Sequence, residues 1–434
     1  MTSRTGRIHR FLRSADSVSA TSQTLAAGLL LAGLTLVNSV FLARFLGPEG
    51  RGLVAAVLLW PPLLQAFGLL GLNNAFVYFT RREPGSEASL LKLGAFLVVV
   101  ASFASALLAL LFVKELLFDA DDRLRSLATV FLLIVTPLTA LTTLIGAVAQ
   151  AKGDFFAFNL SRLLQPAFLL LGLVVTQVLE GLTPFSAVAA ALASAVAACG
   201  GTALIILRAP AGHRAPAAMG LQKRFVLYGT AVAGVEILGA LSTHVDRLAI
   251  VGTLTARDLG IYTVAYGLAR IAGQLHSAAS SVLFPKAAGA GLEEVLEKTG
   301  RGVRLTTMAA LIAAVPLILA STVLIDVLFG SAFSDSALLF RILVIEALVQ
   351  GTSWMMAQAF NALGKPHLII VRQVFGLAAT IALMVALAPL MGAIVRLAVT
   401  LGAFRVALHC PVPPLLPRSS DIRYLRDRLA SLMA

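Results

Sequence analysis

Charged residues and cysteines are scarce in this 434-residue chain. Only 13% of the residues are Asp, Glu, Lys or Arg, whereas 59% are hydrophobic, and the mean hydropathy is +0.92. A soluble globular protein carries about twice that share of charge, so the composition excludes the soluble class. The two cysteines, Cys199 and Cys410, lie far apart in the sequence. This excludes a disulfide framework and a zinc or iron–sulfur motif.

Motifs of catalysis and nucleotide binding are missing as well. The sequence contains no evident phosphate-binding P-loop, dinucleotide GxGxxG or Ser/His/Asp set. The longest predicted outer loop, KELLFDADDRLR at 114–125, has about a dozen residues. An integral-membrane glycan-polymerising enzyme usually places its acid or metal site on a larger loop, so this class is the weakest alternative. We expect neither an enzyme nor a cofactor.

Long apolar runs dominate what is present. A hydrocarbon core about 30 Å thick requires about 20 apolar helical residues per crossing. Backbone polar groups find no water there, and the short alternating strands of a membrane barrel are absent from the sequence, so each run is predicted to be a helix. We therefore predict an all-α integral membrane protein with about twelve transmembrane helices. The runs lie at 22–43, 53–79, 90–113, 126–149, 158–179, 185–207, 223–245, 259–285, 303–329, 337–361, 366–388 and 390–409.

The net charge of +13 is unevenly divided between alternate loops. With a cytoplasmic N-terminus, the inner segments carry 23 Lys and Arg against 9 acids, and the outer segments carry 8 against 10. This asymmetry follows the positive-inside rule for a protein with both termini inside. Topology and contact with anionic lipid explain the basic excess, so no nucleic-acid partner is expected.

The sequence indicates an internal duplication. A shift of 208 residues aligns LGPEGRGLVAAV (46–57) with LTARDLGIYTVA (254–265), and a shift of 211 aligns AKGDF (151–155) with ALGKP (362–366). Two halves of six spans in the same orientation predict two pseudo-symmetric bundles. The predicted division is a basic N-terminal segment (1–21), a first six-helix lobe (22–207), a cytoplasmic linker (208–222), a second lobe (223–410) and a cytoplasmic tail (411–434).

A polar stretch, ARFLGPEGRG at 43–52, separates the first two spans. Its glycines and Pro48 predict a tight reversal of the chain. Arg44, Glu49 and Arg51 are expected to hold this hairpin in water. The alternative interpretation is an external gate that opens as the two lobes rock.

This stretch, together with HVDRLAIVGTLTARDLGIYTVAYGLARIAGQLHSAASSVLFP at 244–285, resembles the polysaccharide-exporter and O-antigen flippase branch of the multidrug/oligosaccharidyl-lipid/polysaccharide flippase superfamily. The resemblance spans residues 20–390. It implies two six-helix lobes that form a V around a central cationic cavity. It also implies transfer of an undecaprenyl-pyrophosphate-linked oligosaccharide across the bacterial inner membrane by alternating access, without ATP hydrolysis by the protein itself. The resulting glycan would serve O-antigen, capsule or exopolysaccharide synthesis. The implied partners are the lipid-linked oligosaccharide, membrane lipids, and polysaccharide polymerase and chain-length proteins.

Polar residues within one predicted span give the clearest candidate for a substrate site. They recur every three or four positions and so share one helical face. The face combines one cation with neutral hydrogen-bonding groups, as a phosphate-bearing sugar head requires. The alternative is a stripe packed against polar groups of neighbouring helices. The stripe consists of Tyr262, Tyr266, Arg270, Gln274, Ser277 and Ser281, with His276 beside it as an interior histidine.

Ionisable residues inside spans are costly and therefore need a reason. Glu236 and Glu346 are each expected to be a counter-ion of Arg270 or a proton or sodium site. Arg162 and Arg372 occupy equivalent inner-end positions of the two halves, where long stems can reach the cytoplasmic interface or a cavity.

Other polar pairs are expected to cap span ends. Asn73 and Asn74 close the second span on the inner side, and Asp246 and Arg247 follow the seventh span on the outer side.

A cation-coupled multidrug exporter of the same superfamily is the main alternative. Several such exporters use a membrane-embedded acid in the first lobe, and the first six predicted spans contain none. Glu236 and Glu346 keep a coupling site in the second lobe open.

The charge asymmetry predicts that the N-terminus, the linker 208–222 and the tail 411–434 all face the cytoplasm. Single cysteines placed in these segments should react with a membrane-impermeant maleimide only after the membrane is permeabilised. Labelling of the linker in intact cells would contradict this topology.

Overall fold

A computed structural model describes residues 17–83, 85–116, 121–207, 220–253, 255–287, 292–362, 370–378 and 382. Within these residues the regular structure is entirely helical, and the all-α prediction is confirmed. The elements are α1 (Ser17–Leu58), α2 (Trp60–Leu69), α3 (Leu72–Arg82), α4 (Glu87–Leu116), α5 (Asp122–Lys152), α6 (Phe155–Leu179), α7 (Pro184–Leu207), α8 (Leu221–Thr253), α9 (Ala256–Ala287), α10 (Leu292–Leu319), α11 (Ser321–Phe329), a 3-10 turn (Ser331–Phe333) and α12 (Ser336–Ala362).

Eight helical stretches of the described chain are long and apolar enough to cross a membrane. One of them, Ala26–Leu69, has 44 residues. Its length of about 66 Å is twice the thickness of a hydrocarbon core. Gly47 interrupts its helical geometry with a φ of 65°. Leu31 and Gln65, on either side of this kink, line one cavity, so the chain doubles back at Gly47 and the stretch accounts for two crossings.

The second crossing is itself broken between α2 and α3, where Leu70 and Gly71 both adopt left-handed backbone angles. Gly71 packs directly on α8, because a Cβ at Gly71 would overlap the carbonyl oxygen of Gly229. Close by, Leu221 and Phe225 of α8 belong to an apolar cluster with residues of α3, α4 and α5. The first helix of the second half therefore packs against the first half.

Most predicted spans coincide with helices, and some extend further. α8 continues to Thr253, beyond the predicted end at 245. α9 packs chiefly against α1 and α12. The linker prediction for 208–219 and the tail prediction for 411–434 lie outside the described residues. Of the last two predicted spans, only 370–378 and 382 are described.

A pair of glycines allows a close approach between the two halves. A Cβ at Gly52 would overlap the carbonyl of Ala256 and lie 3.0 Å from the amide nitrogen of Gly260. A Cβ at Gly260 would overlap the carbonyl of Pro48 and lie 3.1 Å from the amide nitrogen of Gly52. Pro48 and Gly52 correspond to Ala256 and Gly260 under the 208-residue shift. The contact is thus reciprocal, as a pseudo-twofold axis between equivalent segments requires.

A polar contact reinforces this end of the molecule. The Arg44 guanidinium donates through Nε to the carbonyl of Leu328 at 2.8 Å, and through Nη2 to that of Val327. These carbonyls are among the last of α11, where unpaired C=O groups and the helix dipole favour a cation. Arg44 therefore ties the first reversal of the chain to the second half. We call this end, defined by Gly52 and Gly260, the closed end.

The glycine contact predicts that Gly52→Ala opens the closed end. A methyl group against backbone cannot be relieved by a rotamer change, and overpacking costs about 1–3 kcal/mol, so the open population should rise about tenfold. The readout is labelling of Leu259→Cys by a water-soluble maleimide in a Cys199→Ser, Cys410→Ser background. Leu259 is only 2% exposed when the end is closed.

Gly33→Ala provides the matched control, since it lies on the same helix and a Cβ there meets nothing within 4 Å. Equal labelling of Leu259→Cys in the two alanine variants would show that the glycine contact does not hold the end closed.

Candidate functional site

A ladder of polar side chains runs along α9, starting next to the closed end. Tyr262, Tyr266 and Arg270 are spaced by four residues and share one face. The two tyrosine rings are stacked, with centroids 6.0 Å apart. Tyr262 is fully buried and Tyr266 nearly so, whereas Arg270 is exposed. Arg270 lies ten residues from Gly260, or about 15 Å along the helix.

The first step of the ladder is a buried tyrosine–carboxylate contact. The Tyr262 hydroxyl donates to Asp246 Oδ2 at 2.6 Å, and Asp246 is only 1% exposed. Its other oxygen, Oδ1, is buried without a hydrogen-bond partner in the described part of the chain. The prediction that Asp246 caps the outer end of a span was wrong, because α8 continues to Thr253 and carries the carboxylate inside the protein.

Two arginines lie beside the tyrosine ladder. The Arg247 guanidinium lies over the Tyr266 ring, with Cζ 4.6 Å from the centroid, and its Nη2 donates to His244 Nδ1 at 2.8 Å. Arg51 of α1 lies within electrostatic range of Arg247 and is 7% exposed. The expectation that Arg51 holds a hairpin in water was therefore wrong. Arg51 directly precedes Gly52, whose contact with α9 draws it into the interface.

Arg270 differs from the other cations because it is exposed and held by neutral groups. Its Nη1 lies 3.3 Å from the Tyr266 hydroxyl and 3.4 Å from Gln350 Oε1 on α12. No carboxylate among the described residues forms an ion pair with it. Glu346, one turn before Gln350, is 2% exposed and lies near Tyr262.

Together these residues form what we call the charged cluster. It contains three arginines and two acids, so one positive charge is in excess when His244 is neutral. The cluster consists of Arg51, His244, Asp246, Arg247, Tyr262, Tyr266, Arg270, Glu346 and Gln350. The side chains of Gln274, His276, Ser277 and Ser281, which the sequence places on or beside the same stripe, lie outside the described residues.

Glu236 on α8 has a separate environment. Its Oε1 accepts a hydrogen bond of 2.6 Å from Asn74 Nδ2, and Asn73 also contacts the carboxylate. Both asparagines belong to α3, just after the break at Gly71. The described contacts of Glu236 are thus amides of the first half and not Arg270.

The two inner-end arginines occupy different surroundings. Arg372 donates to the Ser353 hydroxyl on α12. Arg162 borders a cavity of about 520 Å³ within the first half.

The sequence patterns did not predict the association of the tyrosine ladder with Arg51, His244, Asp246 and Arg247. A signal was available, since the segment HVDR at 244–247 opens one of the two stretches that carry the family resemblance. Hydropathy alone ended the seventh span just before its charged pair.

Comparisons with known proteins agree with this architecture. The family described as "Polysaccharide biosynthesis protein" matches residues 18–288, more than half of the chain. An inward-facing multidrug resistance MATE family transporter of the MOP superfamily superimposes with a TM-score of 0.71 at 13% identity, covering 89% of this chain and 92% of that one. The lipid II flippase MurJ, in an inward closed conformation, gives 0.70 at 15% identity, with coverages of 89% and 86%.

An outward-facing MATE family transporter gives a TM-score of 0.63 at 12% identity, covering 92% of this chain and 95% of that one. No curated protein sequence matched the chain. At these identities the likeness concerns the fold. It confirms the predicted all-α architecture of membrane helices.

The buried contact of Asp246 predicts that Tyr262→Phe destabilises the protein. Removing the hydroxyl leaves a buried carboxylate without its described donor, at a cost of about 1–3 kcal/mol. Thermal unfolding of the purified protein in detergent should show a lower midpoint. Tyr228→Phe is the control, because that exposed tyrosine stacks on Tyr78 and its hydroxyl makes no hydrogen bond in the described chain. Equal midpoints for the two variants would contradict the assigned contact.

Proposed function

This chain belongs to the polysaccharide biosynthesis protein family, and we propose that it is a flippase for a lipid-linked oligosaccharide. The substrate would be an undecaprenyl-pyrophosphate-linked glycan destined for O-antigen, capsule or exopolysaccharide. The protein would act in the bacterial inner membrane, with both termini in the cytoplasm and with polymerase and chain-length proteins as partners. It would transport its substrate and perform no covalent chemistry.

The observation that carries this proposal is the excess positive charge of the charged cluster. A pyrophosphate head group cannot enter hydrocarbon without compensating cations, and a guanidinium offers several N–H donors in a planar fork. Arg270 is exposed, oriented by Tyr266 and Gln350, and free of a described carboxylate partner. An anion arriving there gains a counter-charge without first breaking an ion pair with a described acid.

The closed end supports transport by alternating access. The Gly52–Gly260 approach seals one end, and Arg270 lies beyond the buried tyrosines on the side away from that seal. A head group could thus reach Arg270 from one side only in this conformation. Separation of the glycines would be required to release it on the other side.

A cation-coupled multidrug exporter is the second candidate, and a specific contact favours it. Glu236 lies between the halves and accepts from Asn74 beside a broken helix, an arrangement that transporters use for ions. The same contact is compatible with ion coupling of a flippase. The surplus of cations in the charged cluster disfavours cationic drugs as the cargo.

The proposal predicts that export depends on the charge at position 270. Arg270→Gln should lose most glycan export, and Arg270→Lys should retain part of it, because a point cation still attracts phosphate without the planar fork. Surface glycan should be quantified in cells that express each variant at equal abundance.

Arg301→Gln is the matched control, since that exposed arginine pairs with Glu297 on α10, away from the charged cluster. Normal export by Arg270→Gln would remove Arg270 from the substrate path. If cells with Arg270→Gln kept their surface glycan but accumulated a drug, the multidrug exporter would be favoured.

A further inference from the structure

The cavity in the first half is separate from the charged cluster and shares no lining residue with it. It lies among α1, α2, α5, α6 and α7 and measures about 520 Å³, within the size range of small-molecule sites. Apolar residues such as Leu58, Phe131 and Leu169 line part of the wall. Its polar lining includes Gln65, Thr139, Thr142, Thr143, Arg162 and Gln165.

The threonines of α5 present oxygen acceptors to the cavity. The Thr142 hydroxyl donates to the carbonyl of Leu138 at 2.7 Å, and that of Thr139 donates to the carbonyl of Val135 at 2.9 Å, whereas the Thr143 hydroxyl already accepts from Gln65 Nε2 at 2.5 Å. A hydroxyl that donates within its own helix keeps lone pairs that can accept. A ligand that fits this wall must therefore supply donors, as the hydroxyl groups of a sugar do.

Arg162 provides the opposite chemistry on the facing helix α6. Its guanidinium lies over the Phe158 ring, with Cζ 5.7 Å from the centroid. It has no hydrogen bond or ion pair within the described part of the chain. Arg372, its equivalent in the second half, donates to Ser353. The N–H groups of Arg162 are thus available for an anion, and a phosphate matches their planar fork.

We propose that this cavity is a binding site for a phosphorylated sugar. Arg162 would hold the phosphate, and the threonine row of α5 would accept hydrogen bonds from the sugar hydroxyls. The apolar wall would contact the carbon face of the ring. The inference concerns binding alone and does not rest on the proposed transport function.

Glucose 1-phosphate is the probe, and the full-length protein in phosphatidylcholine nanodiscs is the sample. Increasing probe should raise the thermal unfolding midpoint, since a ligand that binds the native state stabilises it. Arg162→Gln should raise the half-maximal concentration about tenfold or more, because one charge-assisted contact is lost. Thr142→Val should raise it a few-fold, and glucose without phosphate should be a much weaker ligand.

Two arginine variants test the location of the site. Arg372→Gln removes the equivalent arginine of the second half, and Arg270→Gln removes the exposed cation of the charged cluster. Arg372→Gln should leave the half-maximal concentration of glucose 1-phosphate unchanged, and Arg270→Gln separates binding of the probe at the charged cluster from binding in the cavity. The unfolding midpoints without ligand show whether each variant is folded. Loss of the response in Arg270→Gln with retention in Arg162→Gln would overturn the proposal.

Further arms identify the class of ligand. An equal response to inorganic phosphate and to glucose 1-phosphate would overturn the role given to the threonines. No response to glucose 1-phosphate, combined with Arg162-dependent stabilisation by phosphatidylglycerol in the nanodisc, would assign the cavity to a lipid head group instead. Absence of any Arg162-dependent response would overturn the site itself. The proposed transport function would be unaffected, because the export assay of the Arg270 variants tests it separately.

Discussion

The absence of side chains at Gly52 and Gly260 sets the distance between the two halves at the closed end. Because neither residue has a Cβ, the backbone of α1 meets the backbone of α9 with no room for water between them. Neighbouring residues are buried as a consequence. Arg51 precedes one glycine and Tyr262 follows the other, and both lie inside the protein. The glycine contact therefore decides which polar groups the protein must neutralise internally.

Neutralisation of those groups is incomplete, and this shapes the energetics of the closed end. A buried ion costs several kcal/mol unless it is well paired. Asp246 has a short hydrogen bond from Tyr262, while Arg51 and Arg247 repel one another. Opening the closed end would return water to these groups and lose the packing of the glycines. Because these two terms oppose one another, a ligand that prefers one conformation shifts the balance between the two.

Sequence reasoning recovered the features that depend on local composition. Hydrocarbon thickness fixes the length of a span, so the helices were predictable, and the 208-residue shift correctly paired Gly52 with Gly260. That these two residues touch was not predictable, since a repeat gives equivalence and not proximity. Arg51 was misplaced for the same reason. Because Arg51 lies among glycines and a proline, its local sequence is typical of a solvated turn. The contact of Gly52 with α9 is what buries it. Asp246 was misplaced because hydropathy ends the span at the adjacent charges of Asp246 and Arg247.

The duplication also explains why the two halves can carry different chemistry on one scaffold. Equivalent glycines must both remain small, because each meets the backbone of the other half. Arg162 and Arg372 face no such reciprocal constraint, since each lies within its own half. One is bonded to Ser353, while the other borders an open cavity. Symmetry is thus enforced only where the halves meet. Residues inside each bundle are free to diverge, so new binding sites in a duplicated membrane protein are expected away from its axis.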